Sequence, residues 1–467
     1  MASKDKQQKV HRIKTGSFER RLSLTRSGLL AGGRMMAQAP GLWLGSKQGK
    51  ANRRQRMLSE EAQYLVKELG DLKGGAVKIG QMMALYGEHF LPSEVTEALH
   101  TLEDRTVALH WPRIESMLQA ELGATKLQEL DIEHEPIGAA SLGQVHRAIA
   151  KKTGQQLCMK IQYPGVADTV DSDVDSVAGM LKVANLITAT EEFSTWLEEV
   201  RAMLHREVDY GVELETTQRF RKLLKHDKRF VVPKMFPQFS TQHVLTMSYE
   251  PGHALASPDV QELSQQRRNN LGALALELFL REVFDWGEIQ TDPNFGNYRI
   301  RIAANKRSID KIVLLDFGAV QRYEQAFLRP LKDMIIGAYE NDLAKVQAAA
   351  IELDFIKAEY PDDVRQSFTE VCAGIIEPLV FDPNSIPNNA LNELGEYKWK
   401  DSDLPTRIAK RAAKSSFSRY FRIPPKEFLF LNRKLIGVYT FIAVLDAQFN
   451  GGSILQRYVP DEVADTH

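Results

Sequence analysis

Asp292 and Asn297 stand five residues apart in "QTDPNFGNY", and Asp316 closes the apolar run "KIVLLDFG" nineteen residues after Asn297. A carboxylate leaving a buried strand is costly unless it meets a cation or a metal. Three oxygen donors of this kind suit magnesium, which takes hard ligands and bridges nucleotide phosphates. A cation for the phosphates themselves is offered by Lys160 in "CMKIQY". Taken alone, Lys160 reads better as an edge-strand lysine in water. Upstream, "PIGAASLGQVHRA" supplies a loop of small residues: Gly138, Ala139, Ala140, Ser141 and Gly143, with Val145 just beyond. Such a loop admits phosphate close to backbone amides. It is not G-x-G-x-x-G, because its middle is alanine-rich. An acidic partner for Lys160 is expected in "HREVDYGVELE", which carries Glu207, Asp209, Glu213 and Glu215.

The elements that must position these residues follow from local pattern. "SLGQVHRAIA", "KKTGQ" and "QLCMKIQY" read as two strands joined by a glycine-containing turn. A helical stretch covers about 171–226, and "RFVVPKMF" and "HVLTMSYE" read as further short strands. The second of these leads into a connection where Met247, Ser248 and Tyr249 offer backbone bonds to an adenine. After Pro251 come a long helix, a second hairpin ending in "LLDFG", and a mostly helical remainder. "EFLFLNRKLIGVYTFIAVLDAQFN" reads as a buried helix, since Arg433 and Lys434 argue against a membrane span. Before the first strand, "SEEAQYLVKELGDLKGG" is helical with Ser59 as its cap. "GGAVKIGQMMALYGEHFLP" follows, with Lys78 and Gln81 three residues apart on one helical face. Gly80 costs that helix about 1 kcal/mol relative to alanine.

The totals bound the rest. A chain of 467 residues implies two to four domains. Net charge is −1, which gives no whole-molecule attraction to nucleic acid. Cys158 and Cys372 have neither metal nor disulfide spacing, and a reducing compartment is the simpler reading. No apolar run is long enough for a transmembrane helix. Charge is uneven, however: residues 1–57 hold fourteen Lys and Arg against two Asp and Glu. Within that arm, "RRLSLTRSGLLAGGRMMAQAPGLWLG" mixes arginines with leucines, methionines and Trp43. It suits either attachment to an anionic membrane surface or a helix docked on the protein body. The expected divisions are 1–57 (basic arm), 58–130 (helical extension), 131–250 (a sheet-containing lobe with a helical insertion) and 251–467 (a helical lobe).

An Asp, an Asn five residues later and then DFG recur in that order in kinases, downstream of a strand lysine and its helical acid. More specifically, "KIGQ", "GAASLGQVHRA", "EVDYGVE", "DPNFGN" and "LLDFGAV" resemble the UbiB family of atypical kinases. The resemblance spans roughly 20–320 and extends into "FLNRKLIGV". It implies an α+β, protein-kinase-like bilobal fold: a small antiparallel-sheet lobe, a helical lobe and extra N-terminal helices. It also implies ATP or ADP with Mg2+, ATP hydrolysis, and support of ubiquinone or other isoprenoid-quinone metabolism at membranes. By position, Lys160 resembles the phosphate-contacting lysine and Glu213 its partner. Glu207 and Asp209 resemble the ExD pair that meets the KxGQ helix. Asp292 resembles the catalytic-loop aspartate, and Asn297 and Asp316 the metal ligands.

The chain departs from the family pattern at Gly138, where alanine is usual, and at Gln290, where histidine is frequent. The transmembrane tail of some bacterial members has no counterpart. The expectation is therefore peripheral membrane association on a cytoplasmic or organelle-matrix face, with quinone-pathway lipids or proteins as partners and a homodimer as an option. In this reading Gly80 lets the KxGQ helix approach the nucleotide, so that Lys78 and Gln81 face the pocket; the alternative is that Gly80 only permits close helix packing. Three activities compete: an ATPase coupled to handling a quinone precursor, a kinase acting on a small molecule or protein, and a nucleotide-binding scaffold with vestigial chemistry.

Overall fold

Along Gln155–Gln162, Leu157, Met159 and Ile161 are buried, while Cys158 and Lys160 lie half-buried on the opposite face. Period-two alternation of this kind builds a sheet with one face given to the core and one to chemistry. The computed structural model describes residues 9–10, 47–72, 75–86, 91–102, 108–183, 186–187, 190–305, 308–414 and 426–459. Of the basic arm expected over 1–57, residues 1–8 and 11–46 lie outside them, and the helix Lys47–Leu72 runs unbroken through the expected boundary and through Ser59, which is therefore not a cap. The chain divides into two units. One comprises Met1–Arg219 with Pro233–Tyr249, the other Phe220–Val232 with Glu250–His467.

The first unit opens with three packed helices, α1 (Lys47–Leu72), α2 (Gly75–Tyr86) and α3 (Ser93–His100), followed by α4 (Trp111–Gln128). Helix α4 breaks at Gly123, whose φ of 74° is open to glycine at little cost. An antiparallel sheet follows: β1 (Leu130–Ile132), β2 (Gly138–Ala139), β3 (Gly143–Ala150), β4 (Gln155–Gln162) and β5 (Val244–Ser248). Its order is β1-β3-β4-β5, with β2 folded back on β3. The register sets Val145 opposite Lys160, and Cys158 opposite both Arg147 and Met247. Helices α5 (Val166–Val183) and α6 (Glu191–Glu207) form an insertion before α7 (Tyr210–Leu223).

In the second unit, α8 (Gln265–Arg281) buries Leu271, Leu274, Leu276 and Leu278 and widens into a π turn over Glu282–Trp286. Gly287, at φ 64°, ends that turn in the left-handed conformation. Four strands follow: β6 (Glu288–Gln290), β7 (Tyr298–Arg301), β8 (Lys311–Leu314) and β9 (Val320–Arg322). They form two small antiparallel pairs, β6 with β9 and β7 with β8; Phe230–Val231 joins the free edge of β8 in parallel. Helices α9 (Gln325–Glu340), α10 (Leu343–Glu352), α11 (Asp362–Ile375), α12 (Leu404–Lys414) and α13 (Lys426–Val444) complete the unit. Among the described residues no helix is long and apolar enough to cross a membrane.

Two local arrangements carry clear energetic consequences. A Cβ placed on Gly80 would overlap the Leu102 side chain and press on Leu69. The glycine therefore faces the apolar packing of α1 and α3, not a nucleotide, which corrects the expectation drawn for it. Gly138, in contrast, has open space where a Cβ would stand. In the second unit Asp227 receives hydrogen bonds from Arg229 (2.9 and 2.7 Å) and Arg281 (2.9 Å). The Arg229 guanidinium, helped by Arg281, holds the Asp227 carboxyl below its ordinary range against the opposing effect of burial.

Gly80→Ala should lower the denaturation midpoint. Overpacking costs about 1–3 kcal/mol, against about 1 kcal/mol gained in helix propensity. Gly138→Ala should leave the midpoint where it is. A Gly80→Ala protein more stable than the parent would show that Leu102 yields freely. Asp227→Asn should cost about 1.5–3 kcal/mol near neutrality. Because the folded pKa is depressed, this stability is present above the ordinary carboxylate pKa of about 3.9. It is lost as pH falls through the lowered folded value, so urea titrations of parent and variant should converge in acid.

Candidate active site

Lys160 projects from the middle of β4 toward α7. Its Nζ donates to Glu213 Oε2 at 2.8 Å and to Oε1 at 3.1 Å, and lies 5.0 Å from the centre of the Tyr210 ring. Glu213 is nearly inaccessible, at 3% side-chain exposure, while Lys160 keeps 23%. Of the four acids offered by the sequence, this is the one that meets the lysine. The carboxylate is paired within the protein, and the lysine side chain stays partly exposed. Cys158 shares that sheet face, and burial pushes its thiol up to about 11, which suits packing better than reactivity.

The small-residue loop is a tight hairpin. Ala140 N–H donates to Gly143 C=O at 2.8 Å, so that amide is committed to the turn. Ser141 and Leu142 form its tip. Gly143 has a packing reason of its own, since a Cβ there would overlap the Ile161 carbonyl. Gln144 and His146, on the other face, are structural. Gln144 Oε1 accepts from Leu109 N–H at 2.7 Å, tying in the segment before α4. His146 Nδ1 donates to Glu133 C=O at 2.7 Å. That bond fixes the tautomer, leaving Nε2 to accept from Gln144 Nε2 at 2.8 Å. The amides of Ser248 and Tyr249, expected to face an adenine, already donate to Lys234 C=O (2.8 Å) and Gln156 C=O (3.0 Å). Tyr249 also accepts from Arg147 through its hydroxyl at 2.6 Å.

The KxGQ helix splits its two polar residues. Lys78 forms an ion pair with Glu207 at the end of α6, as the sequence suggested. Gln81 instead donates to Leu102 C=O at 3.1 Å and fastens α2 to the end of α3. Asp209 caps α7, its Oδ1 accepting from the amides of Gly211 (3.0 Å) and Val212 (3.3 Å). Gln81 and Asp209 thus hold the frame, whereas Lys78 and Glu207 meet.

In the second unit Asp292 Oδ2 accepts from Asn297 Nδ2 at 2.9 Å, and Oδ1 from Arg433 at 3.1 Å. With its nitrogen so engaged, Asn297 presents Oδ1 as the atom left for a hard cation. Gln290 is 4% exposed and bridges the two motifs. Its Oε1 accepts from Asp292 N–H at 2.8 Å, and its Nε2 donates to Asp316 C=O at 3.3 Å. Asp316 Oδ1 accepts from Gly318 N–H at 2.9 Å. Phe317 is buried, its ring 4.8 Å from that of Phe220. Among the described residues no three His, Cys, Asp or Glu side chains converge as a metal cage. A cation at Asn297 and Asp316 would therefore complete its shell with phosphate and water oxygens, as magnesium commonly does.

Two participants were missed as such in the sequence. Arg433 reaches Asp292, and Lys434 pairs with Glu282 at 3.0 Å in full burial. The signal was present: consecutive cations inside an apolar helix demand buried acceptors.

Lys160→Met should destabilise the chain by about 3–5 kcal/mol, because it strands Glu213 in a dry site. Adding Glu213→Leu should recover most of that loss. Equal destabilisation in single and double variants, measured by chemical denaturation, would contradict the pairing.

Comparison with known proteins places the chain in a family. The profile of the ABC1 atypical kinase-like domain matches residues 101–350. "Atypical kinase COQ8, mitochondrial" of Schizosaccharomyces pombe is 28% identical over 387 residues, covering 83% of this chain and 60% of that protein. The chain thus spans about three fifths of the length of that relative. The Saccharomyces cerevisiae protein of the same name is 28% identical over 433 residues, covering 92% of this chain and 82% of that protein. Among solved structures, the Mycobacterium tuberculosis protein described as "The complex structure of Rv3197-erythromycin" superposes with a TM-score of 0.60 at 22% identity, covering 88% of this chain and 98% of that one. This shows a shared fold. The chain belongs to the ABC1 (UbiB/COQ8) family of atypical kinases and has its kinase-like α+β fold.

Proposed function

We propose that this chain is a magnesium-dependent ATPase of kinase-like fold that supports isoprenoid-quinone metabolism, ubiquinone in particular, from a membrane surface. The observation that carries the reading is the Lys160–Glu213 pair, in which a buried carboxylate orients a half-open ammonium. In phosphoryl transfer the protein contributes positioning and charge neutralisation more than covalent chemistry. Lys160 steadies phosphate oxygens, and the hairpin Gly138–Gly143, with Val145, lies against them. The base is received along Met247, Ser248 and Tyr249. Because the amides of Ser248 and Tyr249 are committed within the sheet, recognition there falls to other groups. Asn297 and Asp316 hold magnesium, which when bound supplies positive charge against the phosphates. Asp292 orients the attacking oxygen.

Lys78, Gln81, Glu207 and Asp209 belong to the KxGQ–ExD part of this site. Lys78 with Glu207 is its charged element, and Gln81 with Asp209 keeps α2 and α7 in place. The joint presence of Asp292, Asn297, Asp316 and Lys160 speaks against a vestigial scaffold. The quinone assignment is supported by the UbiB-type motifs and the mitochondrial COQ8 relatives. Peripheral attachment on an organelle-matrix or cytoplasmic face is supported by the basic composition of residues 1–57.

Purified protein should release phosphate from Mg-ATP, faster with phosphatidylcholine vesicles containing cardiolipin than without. Asp316→Asn should reduce release by about 100-fold, and chelation of magnesium should abolish it. If nucleotide binds but no phosphate is released under any condition, the ATPase reading fails. If the phosphate is recovered on an added lipid or protein acceptor, the kinase reading replaces it.

A further inference from the structure

We infer that Arg433 is a positioning residue for Asp292, and that α13, beyond the 101–350 span matched by the family profile, is the frame that holds the catalytic loop. The inference rests on the reading of Asp292 as the group that orients the attacking oxygen. Asp292 receives one donor on each carboxylate oxygen, Asn297 at 2.9 Å and Arg433 at 3.1 Å. Two donors from different elements fix the carboxylate plane, where Asn297 alone would let it turn about one contact.

The contact is part of a stripe. Arg433, Gly437 and Phe441 recur every four residues and so lie along one face of α13. Each meets a successive part of the same loop. Arg433 holds Asp292. Gly437 faces Pro293 so closely that a Cβ would overlap its ring. The Phe441 ring lies 6.3 Å from that of Phe295 and 5.5 Å from that of Tyr298, in edge-to-face geometry.

A second anchor sits alongside. Lys434 is 3% exposed and pairs at 3.0 Å with Glu282. Burial works against the charge on Lys434, but the Glu282 carboxylate and the Tyr298 oxygen outweigh it and keep the ammonium above its ordinary pKa. Glu282 in turn accepts from the amide of Gln290, the residue that bridges Asp292 and Asp316. Helix α13 therefore grips the loop directly through Arg433 and indirectly through Lys434, Glu282 and Gln290. A surface cation paired by chance would share neither the 22% exposure of Arg433 nor this continuity of contacts.

Three full-length proteins test the inference: the parent, Arg433→Ala and Arg433→Lys. Phosphate release from Mg-ATP, equilibrium affinity for Mg-ADP and urea unfolding are measured on each. Arg433→Ala should lower kcat by about tenfold to a hundredfold, the scale of a displaced reacting group. Its Mg-ADP affinity and a single cooperative unfolding transition should be retained. Millimolar guanidinium should restore part of the lost rate in Arg433→Ala and leave the parent unaffected, since it returns the missing planar donor. Arg433→Lys should fall between the two, because it keeps charge but loses the planar fork. Parent-like turnover in Arg433→Ala overturns the inference while leaving the ATPase reading standing. So does a parallel loss of kcat, affinity and cooperative unfolding without guanidinium rescue, which assigns Arg433 to stability alone. A parent that releases no phosphate overturns the ATPase reading itself, and the inference with it.

Discussion

A carboxylate removed from water must find a cation or a set of donors, and this requirement organises both units. The buried Glu213 is met by Lys160 and the buried Glu282 by Lys434, while the half-buried Glu207 and Asp292 are met by Lys78 and by Arg433 with Asn297. Leaving any buried carboxylate alone would cost several kcal/mol. Each pairing joins elements far apart in the chain, so the geometry of the charged groups and the geometry of the fold are set together.

The two constellations are built differently. In the first unit Lys160 pairs with one nearly inaccessible acid and keeps 23% exposure. In the second, neutral donors and backbone join Arg433 in immobilising the acids: Gln290 ties Asp292 to Asp316, and Gly318 fixes the Asp316 carboxylate. Preorganised oxygens are what a metal site needs, since magnesium tolerates little departure from octahedral geometry. An amide at Gln290 supplies one donor and one acceptor at once and does not titrate near neutrality. The bridge between the two motifs is thus held independently of pH.

Much of this was legible because the relevant signals are local. The five-residue spacing of Asp292 and Asn297, the apolar strand ending in Asp316, and the β3–β4 hairpin each occupy a short stretch of sequence. The Lys160–Glu213 pairing spans 53 residues and needed the family motif to choose among four acids. Arg433 lies 141 residues from Asp292, and no periodicity within α13 names its partner. Gln81 was misjudged for a different reason. Three-residue spacing puts it on the same broad face as Lys78, but a long side chain at the rim of that face can turn to a neighbouring carbonyl, and Leu102 offered one. The amides of Ser248 and Tyr249 look free in sequence because the carbonyls that take them, on Lys234 and Gln156, belong to segments whose approach only folding decides.

The glycines make the same distinction from another side. A glycine in a helix is a local loss that reports a neighbour, but it does not say which. Gly80 and Gly437 both sit in helices, and a Cβ on either would strike another segment. For Gly80 that neighbour is an apolar cluster, Leu69, Leu99 and Leu102, and the gain is packing. For Gly437 it is Pro293, one residue from Asp292, and the gain is a loop pressed against a helix. Gly143 yields to a strand carbonyl, and Gly138 to nothing within reach. One propensity penalty thus has at least three causes here, separable by what a methyl group would meet. "KIGQ" thus owes its glycine to the apolar packing around Leu69 and Leu102 and its lysine to Glu207, and the two need no common explanation.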